Sequence, residues 1–467
     1  MTLITLDKNS DTPLTEQIVL GIKKLIENRA LRSGLRMPSI RGFSELHEVS
    51  RFTVVQAYDR LVAASYLLSR PGSGFYVVLP QVQSGRVAPS VKLDKAIDVL
   101  WLLRNALSQP AKNPAPGAGW LPVEWMDVTG VQRSLRTLAQ KSGSYLTGYG
   151  VPQGYLPLRQ VLQHRLGEYE IELEPEQILL TNGATHALDL VARFYISPGD
   201  SVLVDDPGYF ILNGTLKSYG ANIIGVPWGK DGPVVEALEK LIAEHKPKIF
   251  FTNSILHNPS GASISQAVAY RILQLAEAHD MIIVEDDVYG DFHAEKISRI
   301  ATLDQLKRVI YIGSFSKTLS SSIRVGFIAA CLPVVAQLTD LKLLSGITSS
   351  EVNERVIYQM LVSGQYRKYL NKLHKRLQSC RVQILQNLEK LGLVPYLEPK
   401  GGMFVWVELP RHINVLEMTN EAAENQLMLA PGHLFRPNLE PSNWMRFNVA
   451  TSHENKLLRY LQKVLSA

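Results

Sequence analysis

Val309-Ile310-Tyr311-Ile312-Gly313-Ser314-Phe315-Ser316-Lys317, followed a short loop later by Arg324-Val325-Gly326, is the stretch on which the reading of this chain turns. Four apolar residues in a row, without polar alternation, predict a strand buried on both faces. The strand ends in serines and a lysine. Upstream, Ile282-Ile283-Val284 predicts a second such strand, leading into Glu285-Asp286-Asp287 and Tyr289. Before it stands His257-Asn258-Pro259-Ser260-Gly261. Side chains alternate along a strand, so Val284 and Asp286 share one face and Glu285 and Asp287 the other. That alternation favours Asp286 over Asp287 as the carboxylate of a site shared with Lys317. A lysine at a buried strand end is desolvated, which lowers its pKa and makes the neutral, nucleophilic amine available.

An amine, a carboxylate and an arginine at neighbouring strand ends are what a pyridoxal phosphate site requires. In that reading Lys317 forms the Schiff base, Asp286 holds the pyridine nitrogen protonated and Arg324 takes the phosphate. Tyr289, three residues beyond Asp286, suits a phenol reaching the cofactor's 3′ oxygen, with Asn258 as its partner. Gly183-Ala184-Thr185 follows another apolar run and opens a helical stretch, whose first N–H groups form a ready phosphate site. Arg324 offers phosphate a bidentate fork that a lysine lacks, and Ser314 completes the cup. Tyr209, in Asp206-Pro207-Gly208-Tyr209, would stack on the pyridine ring. Taken singly, each has an ordinary alternative: a surface lysine, a common strand-to-helix turn, a tyrosine packed on its own loop. Their order and company carry the reading. His186 and His257 flank these motifs and are given no role.

The strand candidates are 178–181, 201–204, 223–226, 249–252, 282–284, 309–312 and 326–329. They alternate with helical segments, which predicts an α/β fold with a mainly parallel seven-stranded sheet. From about residue 351, long helical stretches lead to Met403-Phe404-Val405-Trp406-Val407 and Met445-Arg446-Phe447-Asn448-Val449, read as a small C-terminal α+β subdomain. The first 79 residues follow another pattern. Leu14, Ile18, Ile22, Leu25 and Ile26 form one helical stripe over 13–30. Pro38-Ser39 starts a second helix ending near Glu48, and Ser50 caps a third with Val54, Ala57, Tyr58, Leu61 and Val62 on its buried face. Two short strands, 66–69 and 75–78, flank the turn Arg70-Pro71-Gly72-Ser73-Gly74. Three helices and a hairpin make a winged helix-turn-helix. Residues 80–118, richer in Pro, Gly, Ser and Ala, read as a linker, and 119–467 as the body.

The chain has 467 residues, 46% hydrophobic and 20% charged, which suits a soluble protein of two or three domains. No signal peptide and no membrane-spanning run are expected. Cys331 and Cys380, its two cysteines, have no second cysteine at metal-binding spacing. They read as reduced thiols suited to a cytoplasm, and no metal site is expected. A net charge of +6 permits nucleic-acid binding without establishing it.

From about Tyr145 onward these motifs resemble fold-type I aminotransferases. The resemblance includes Tyr149-Gly150-Val151-Pro152-Gln153-Gly154, where family members lend a tyrosine to the neighbouring subunit's phosphate. It implies that Tyr149 completes a partner's site, and that Arg446 binds a substrate or effector carboxylate. Met37-Pro38-Ser39-Ile40-Arg41, Ser50-Arg51-Phe52-Thr53-Val54-Val55-Gln56-Ala57-Tyr58 and the turn 70–74 resemble the GntR-type winged helix. There the third helix enters the major groove, which implies Arg51, Phe52, Thr53 and Gln56 at base edges and phosphates. Arg41 would lie beside the DNA backbone and Ser73-Gly74 at the wing tip. The two halves together resemble MocR-type regulators. That implies a homodimeric, pyridoxal phosphate-dependent transcriptional regulator on bacterial operator DNA, cytoplasmic and nucleoid-associated, answering to an amine or amino acid. Two other readings remain: a working aminotransferase carrying a DNA-binding head, and a DNA-binding protein whose body only dimerises.

Overall fold

The computed structural model describes residues 4–8, 10, 12–28, 30–31, 34–70, 73–78, 115–141, 143–452 and 455–466. They belong to two compact units, residues 1–95 and 96–467.

In the head, α1 (Leu14–Glu27), α2 (Ile40–His47) and α3 (Arg51–Ala63) pack around a core that includes Ile18, Ile22, Ile26, Phe43, Val54, Ala57, Tyr58 and Leu61. The Ser39 and Ser50 hydroxyls accept from Gly42 N–H and Thr53 N–H, both at 3.0 Å, so each helix starts on a side-chain cap. Glu48 takes the left-handed conformation (φ 51°) and ends α2. The hairpin strands are β1 (Leu67–Arg70) and β2 (Gly74–Val77), antiparallel, with Leu67 opposite Val77. Beside it, Gly34 N–H and Met37 N–H donate to the carbonyls of Val77 and Phe75. Sequence pattern alone gave no sign of that added edge. Pro71 and Gly72, at the centre of the expected turn, lie outside the described residues.

The body is built on β3 (Ile178–Thr181), β4 (Ser201–Asp206), β5 (Asn222–Gly229), β6 (Gly232–Pro233), β7 (Ile249–Thr252), β8 (Ile282–Asp286), β9 (Val309–Ser314) and β10 (Gly326–Ala329). Their order is β3-β10-β9-β8-β7-β4-β5-β6. Strand β10 runs antiparallel to both neighbours, and β6 turns back on β5 as a two-residue addition to the seven strands expected. The remaining pairings are parallel, so the ends of β4, β7, β8 and β9 open on one edge. A smaller sheet, ordered β11-β13-β12, joins β11 (Phe404–Glu408), β12 (Ala430–Pro431) and β13 (Trp444–Asn448). The helices Gln365–Lys390, Val415–Glu424 and Asn455–Leu465 accompany it in sequence. Of the expected linker over 80–118, residues up to 114 lie outside the described residues. Residues 115–118 are a correction: they are bonded into the body, with Gly117 N–H donating to Met428 O at 2.8 Å.

The acidic end of β8 divides as strand alternation requires. Glu285 is fully buried, accepts from Ser254 Oγ at 2.5 Å, and caps the short helix Ile300–Asp304 through Ile300 N–H and Ala301 N–H. Asp287 receives Arg299 Nε at 2.9 Å and Tyr311 OH at 2.6 Å, and the Arg299 guanidinium lies 3.7 Å from the Tyr169 ring centroid. Arg299 is 1% exposed, so truncating it strands the buried Asp287 charge. Arg299→Ala is expected to destabilise the body by roughly 3–5 kcal/mol. Denaturant unfolding checks this, and an unchanged midpoint would show that Asp287 is neutralised without Arg299.

Candidate functional site

The ends of β4, β7, β8 and β9, with the start of the helix Ala184–Tyr195, surround a cavity of about 850 Å³. Carboxyl ends of parallel strands are where α/β sheets leave a crevice. Ala184, Thr185, Tyr209, Asn258, Asp286 and Tyr289 line it. So do Ser314, Ser316, Lys317 and Arg324, with a largely apolar arm that includes Trp120, Leu121, Met126, Val131 and Met428.

Lys317 Nζ donates to Gly119 O at 2.6 Å. Burial, and then the positive charge of Arg446, push its pKa down to about 8. Asp286 shares the cavity, and its Oδ1 is buried without a hydrogen-bond partner. Burial and the Asp287 charge push Asp286 up to about 7, while Lys317 opposes the shift. Asn258 Nδ2 reaches the Tyr289 hydroxyl at 3.5 Å, and Asn258 Oδ1 accepts from Arg446 Nη1 at 2.6 Å. Arg446 is 2% exposed and lies over the rings of Phe404 (4.3 Å) and Phe435 (4.8 Å), a setting that pushes its pKa down to about 10 through desolvation. Burial likewise pushes the Tyr209 hydroxyl up to about 12.

Gly183 caps the helix Ala184–Tyr195 at φ 82°. A Cβ there would meet Arg324 Nη2 at 2.5 Å, so only glycine lets the guanidinium lie against the helix start. Arg324 donates to Ser316 Oγ at 3.0 Å and Asn182 O at 3.2 Å, while Ser314 Oγ is 3.3 Å from Val325 O. Tyr149 is 83% exposed and does not line its own chain's cavity.

Sequence reasoning passed over three contributors. Ser316, rather than Ser314, touches Arg324. Asn253 donates to Asp286 O at 2.7 Å and accepts from Asn258 N–H at 2.8 Å, tying two strand ends together. Asn448 donates to Ala118 O and Trp120 O. It stands two residues after Arg446 on one strand, hence on the same face, which was a usable signal.

On the head, Arg51, Phe52 (70% exposed) and Gln56 stand out from the start of α3. Thr53 is half-buried and its hydroxyl bonds Ser50 Oγ at 2.7 Å, so it also serves the cap. Arg41 is exposed and paired with Glu45 at 2.8 Å. Ser73 Oγ bonds Tyr76 OH at 2.6 Å, next to Gly74.

The aminotransferase class I and II family matches residues 126–464. The chain belongs to that family. The head, over residues 14–77, matches the gntR family of bacterial regulatory proteins. The HTH-type transcriptional regulator YdfD of Bacillus subtilis is 29% identical over 95% of this chain and 94% of its own length. Aromatic-amino-acid aminotransferase 1 of Thermococcus litoralis is 30% identical, over 74% of this chain and 86% of that protein. The crystal structure of Pyrococcus horikoshii kynurenine aminotransferase has a TM-score of 0.72 at 27% identity, covering 79% of this chain and 93% of that one.

This member of the aminotransferase family is thus a MocR-type protein, a DNA-binding regulator with a GntR helix-turn-helix head on an aminotransferase-like body. Its cofactor is pyridoxal phosphate. The cavity fits that group: the partnerless Asp286 Oδ1 suits a protonated ring nitrogen, and the glycine-lined helix start with Arg324 suits a phosphate. Lys317→Ala is expected to leave the body folded and to abolish the cofactor that borohydride fixes to the chain. Peptide mass mapping checks this, and a reduced adduct on another lysine would move the assignment. Because the neutral amine attacks, cofactor uptake by the apoprotein should quicken as pH rises through about 8. A rate that climbs only near the ordinary lysine value of 10.5 would place Lys317 in open water.

Proposed function

We propose that the protein is a homodimeric, cytoplasmic regulator on the bacterial nucleoid. It binds operator DNA through Arg51, Phe52, Thr53 and Gln56, with Arg41 on the backbone and the Ser73-Gly74 wing tip alongside. It senses the cofactor and an amino compound in the cavity of the body. The observation that carries this is the joining, in one chain, of a GntR head to a cavity lined by Lys317, Asp286 and Arg324, with Arg446 bonded to the lining residue Asn258. The domain division proposed is a head over 1–79, a connecting stretch, and a body with its small subdomain from about residue 351. Tyr149, exposed on its own chain, is assigned to the partner's phosphate cup.

Within the cavity, Lys317 is the amine for the aldehyde, Asp286 the counter-ion of the ring nitrogen, and Tyr289 with Asn258 the partners of the ring oxygen. Gly183, Ala184, Thr185, Ser314 and Arg324 hold the phosphate, and Tyr209 covers the ring. Pyridoxal phosphate supplies an electrophilic carbon and an electron-withdrawing ring when bound. Arg446, held by Asn258, takes a ligand carboxylate. Beyond those groups the cavity lining holds one further ionisable side chain, Glu124, and no further cation among the described residues. A second carboxylate on the ligand would therefore meet apolar walls and a like charge. The ligand class is an amino acid with a neutral, apolar side chain.

Cofactor absorbance separates the ligands. L-phenylalanine and L-leucine should perturb it at concentrations roughly tenfold or more below those needed for L-aspartate. Equal or tighter binding of aspartate would assign the side-chain arm to a cation not placed here. Arg51→Ala is expected to weaken operator binding by about 1–3 kcal/mol at fixed salt without changing cofactor content. Unchanged gel-shift affinity would dock the head by another face. A working aminotransferase is the second reading, favoured by the intact Asn258–Arg446 pair. Production of a 2-oxo acid from L-phenylalanine over many turnovers would establish it.

A further inference from the structure

Residues Ala115 to Trp120 are the first described after the head, and their six consecutive carbonyls are all hydrogen-bonded. Thr451 Oγ1 donates to Ala115 O (2.9 Å), and Asn448 N–H to Pro116 O (2.6 Å). Asn448 Nδ2 donates to Ala118 O (3.0 Å) and Trp120 O (2.7 Å). The two that remain are held by the site itself: Arg446 Nη2 donates to Gly117 O (2.7 Å) and Lys317 Nζ to Gly119 O (2.6 Å). A Cβ on Gly117 would stand 2.4 Å from Leu429 C and 2.5 Å from Ala430 N, so the segment lies flat on the backbone at β12. A Cβ on Gly119 would meet only ordinary contacts, 3.7 Å from Arg446 Nη2 and 3.9 Å from Lys317 Nζ.

Two donors are therefore claimed twice. Arg446 has one arm on Asn258 and the other on Gly117, so a carboxylate that takes both arms of the fork displaces the Gly117 carbonyl. A lysine joined covalently to the cofactor no longer has an ammonium to offer Gly119. The ligand excludes the segment at Arg446 and the cofactor excludes it at Lys317, and the segment is continuous in sequence with the stretch leading to the head. We propose that Ala115–Trp120 is a strap seated on the ligand's places, and that its release carries ligand binding from the cavity towards the head. This rests on reading Arg446 as the carboxylate's partner.

Competition fixes a sign that a merely structural role does not. If the seated strap blocks Arg446, only the unseated fraction binds ligand, and loosening the strap raises apparent affinity. Thr451→Val removes one anchor with little change of shape. It should lower the L-phenylalanine concentration that half-saturates the spectral change of the holoprotein by roughly two- to tenfold. Gly117→Ala, which collides with backbone at Leu429 and Ala430, should lower it further, and Gly119→Ala should leave it near wild type. On a fragment recovered by genomic DNA pull-down, amino-acid-free Thr451→Val and Gly117→Ala should shift from the unliganded towards the phenylalanine-saturated wild-type isotherm.

If wild type responds to L-phenylalanine while Thr451→Val binds it equally or more weakly, the strap does not compete and the proposal is overturned. If no amino acid perturbs the wild-type spectrum, the sensing reading falls separately. Hydrogen exchange then decides the strap: the Gly117 and Asn448 amides should exchange faster in full-length holoprotein than in apoprotein, and equal rates overturn it. Thr451→Val keeps the test available should Gly117→Ala fail to fold.

Discussion

Three consecutive carboxylates end a strand that is buried on both faces, and the body is arranged around making that tolerable. An unpaired charge in such a place costs several kcal/mol, roughly as much as a domain's whole margin of stability. The structure treats the three differently. Glu285 is spent on capping a helix, and Asp287 on an arginine and a tyrosine. Asp286 alone turns into the cavity, where one oxygen has no partner in the protein. Pairing on one face thus leaves a single one of the three carboxylates facing the cavity.

The same economy of partners explains the cations. Arg324, Lys317 and Arg446 would repel one another if crowded. Lys317 and Arg324 line the cavity and Arg446 is buried against Asn258, each tied to a backbone oxygen: Asn182 for Arg324, Gly119 for Lys317, Gly117 for Arg446. Carbonyl dipoles stabilise a cation without neutralising it, so each nitrogen stays able to exchange that oxygen for a better acceptor. A carboxylate in those positions would have made permanent salt bridges.

Legibility followed the physics of each element. Runs such as Ile249–Thr252 and Val309–Ile312 were readable because burial on both faces leaves no polar interruption. The hairpin and the three helices of the head were readable because Ser39, Ser50 and the turn residues mark their ends. Strand β12 was not, since two residues carry no period. Lys342 gave no sign either; it is 1% exposed and holds the carbonyls of Pro152 and Leu180. The bonds to 115–118 were missed for a related reason. Backbone acceptors look alike in every residue, and Pro, Gly and Ala signal a linker whether or not something grips them. Side chains such as Lys317, Asp286 and Arg324, which line one cavity, could be grouped from order because each has a distinct chemistry; the hands that grip the backbone could not.

Thr451 and Asn448 hold the strap at Ala115, Pro116, Ala118 and Trp120, while Arg446 holds it at the position a ligand contests and Lys317 at the one the cofactor contests. The threshold of such a sensor is set by anchors that grip backbone rather than the groups that bind what is sensed. Relatives with the same cup could then answer to the same compound at very different concentrations through changes at those two side chains alone. Pocket and set-point become separate inheritances. A screen confined to the groups assigned to cofactor and carboxylate would find what the protein recognises and miss how much of it is enough.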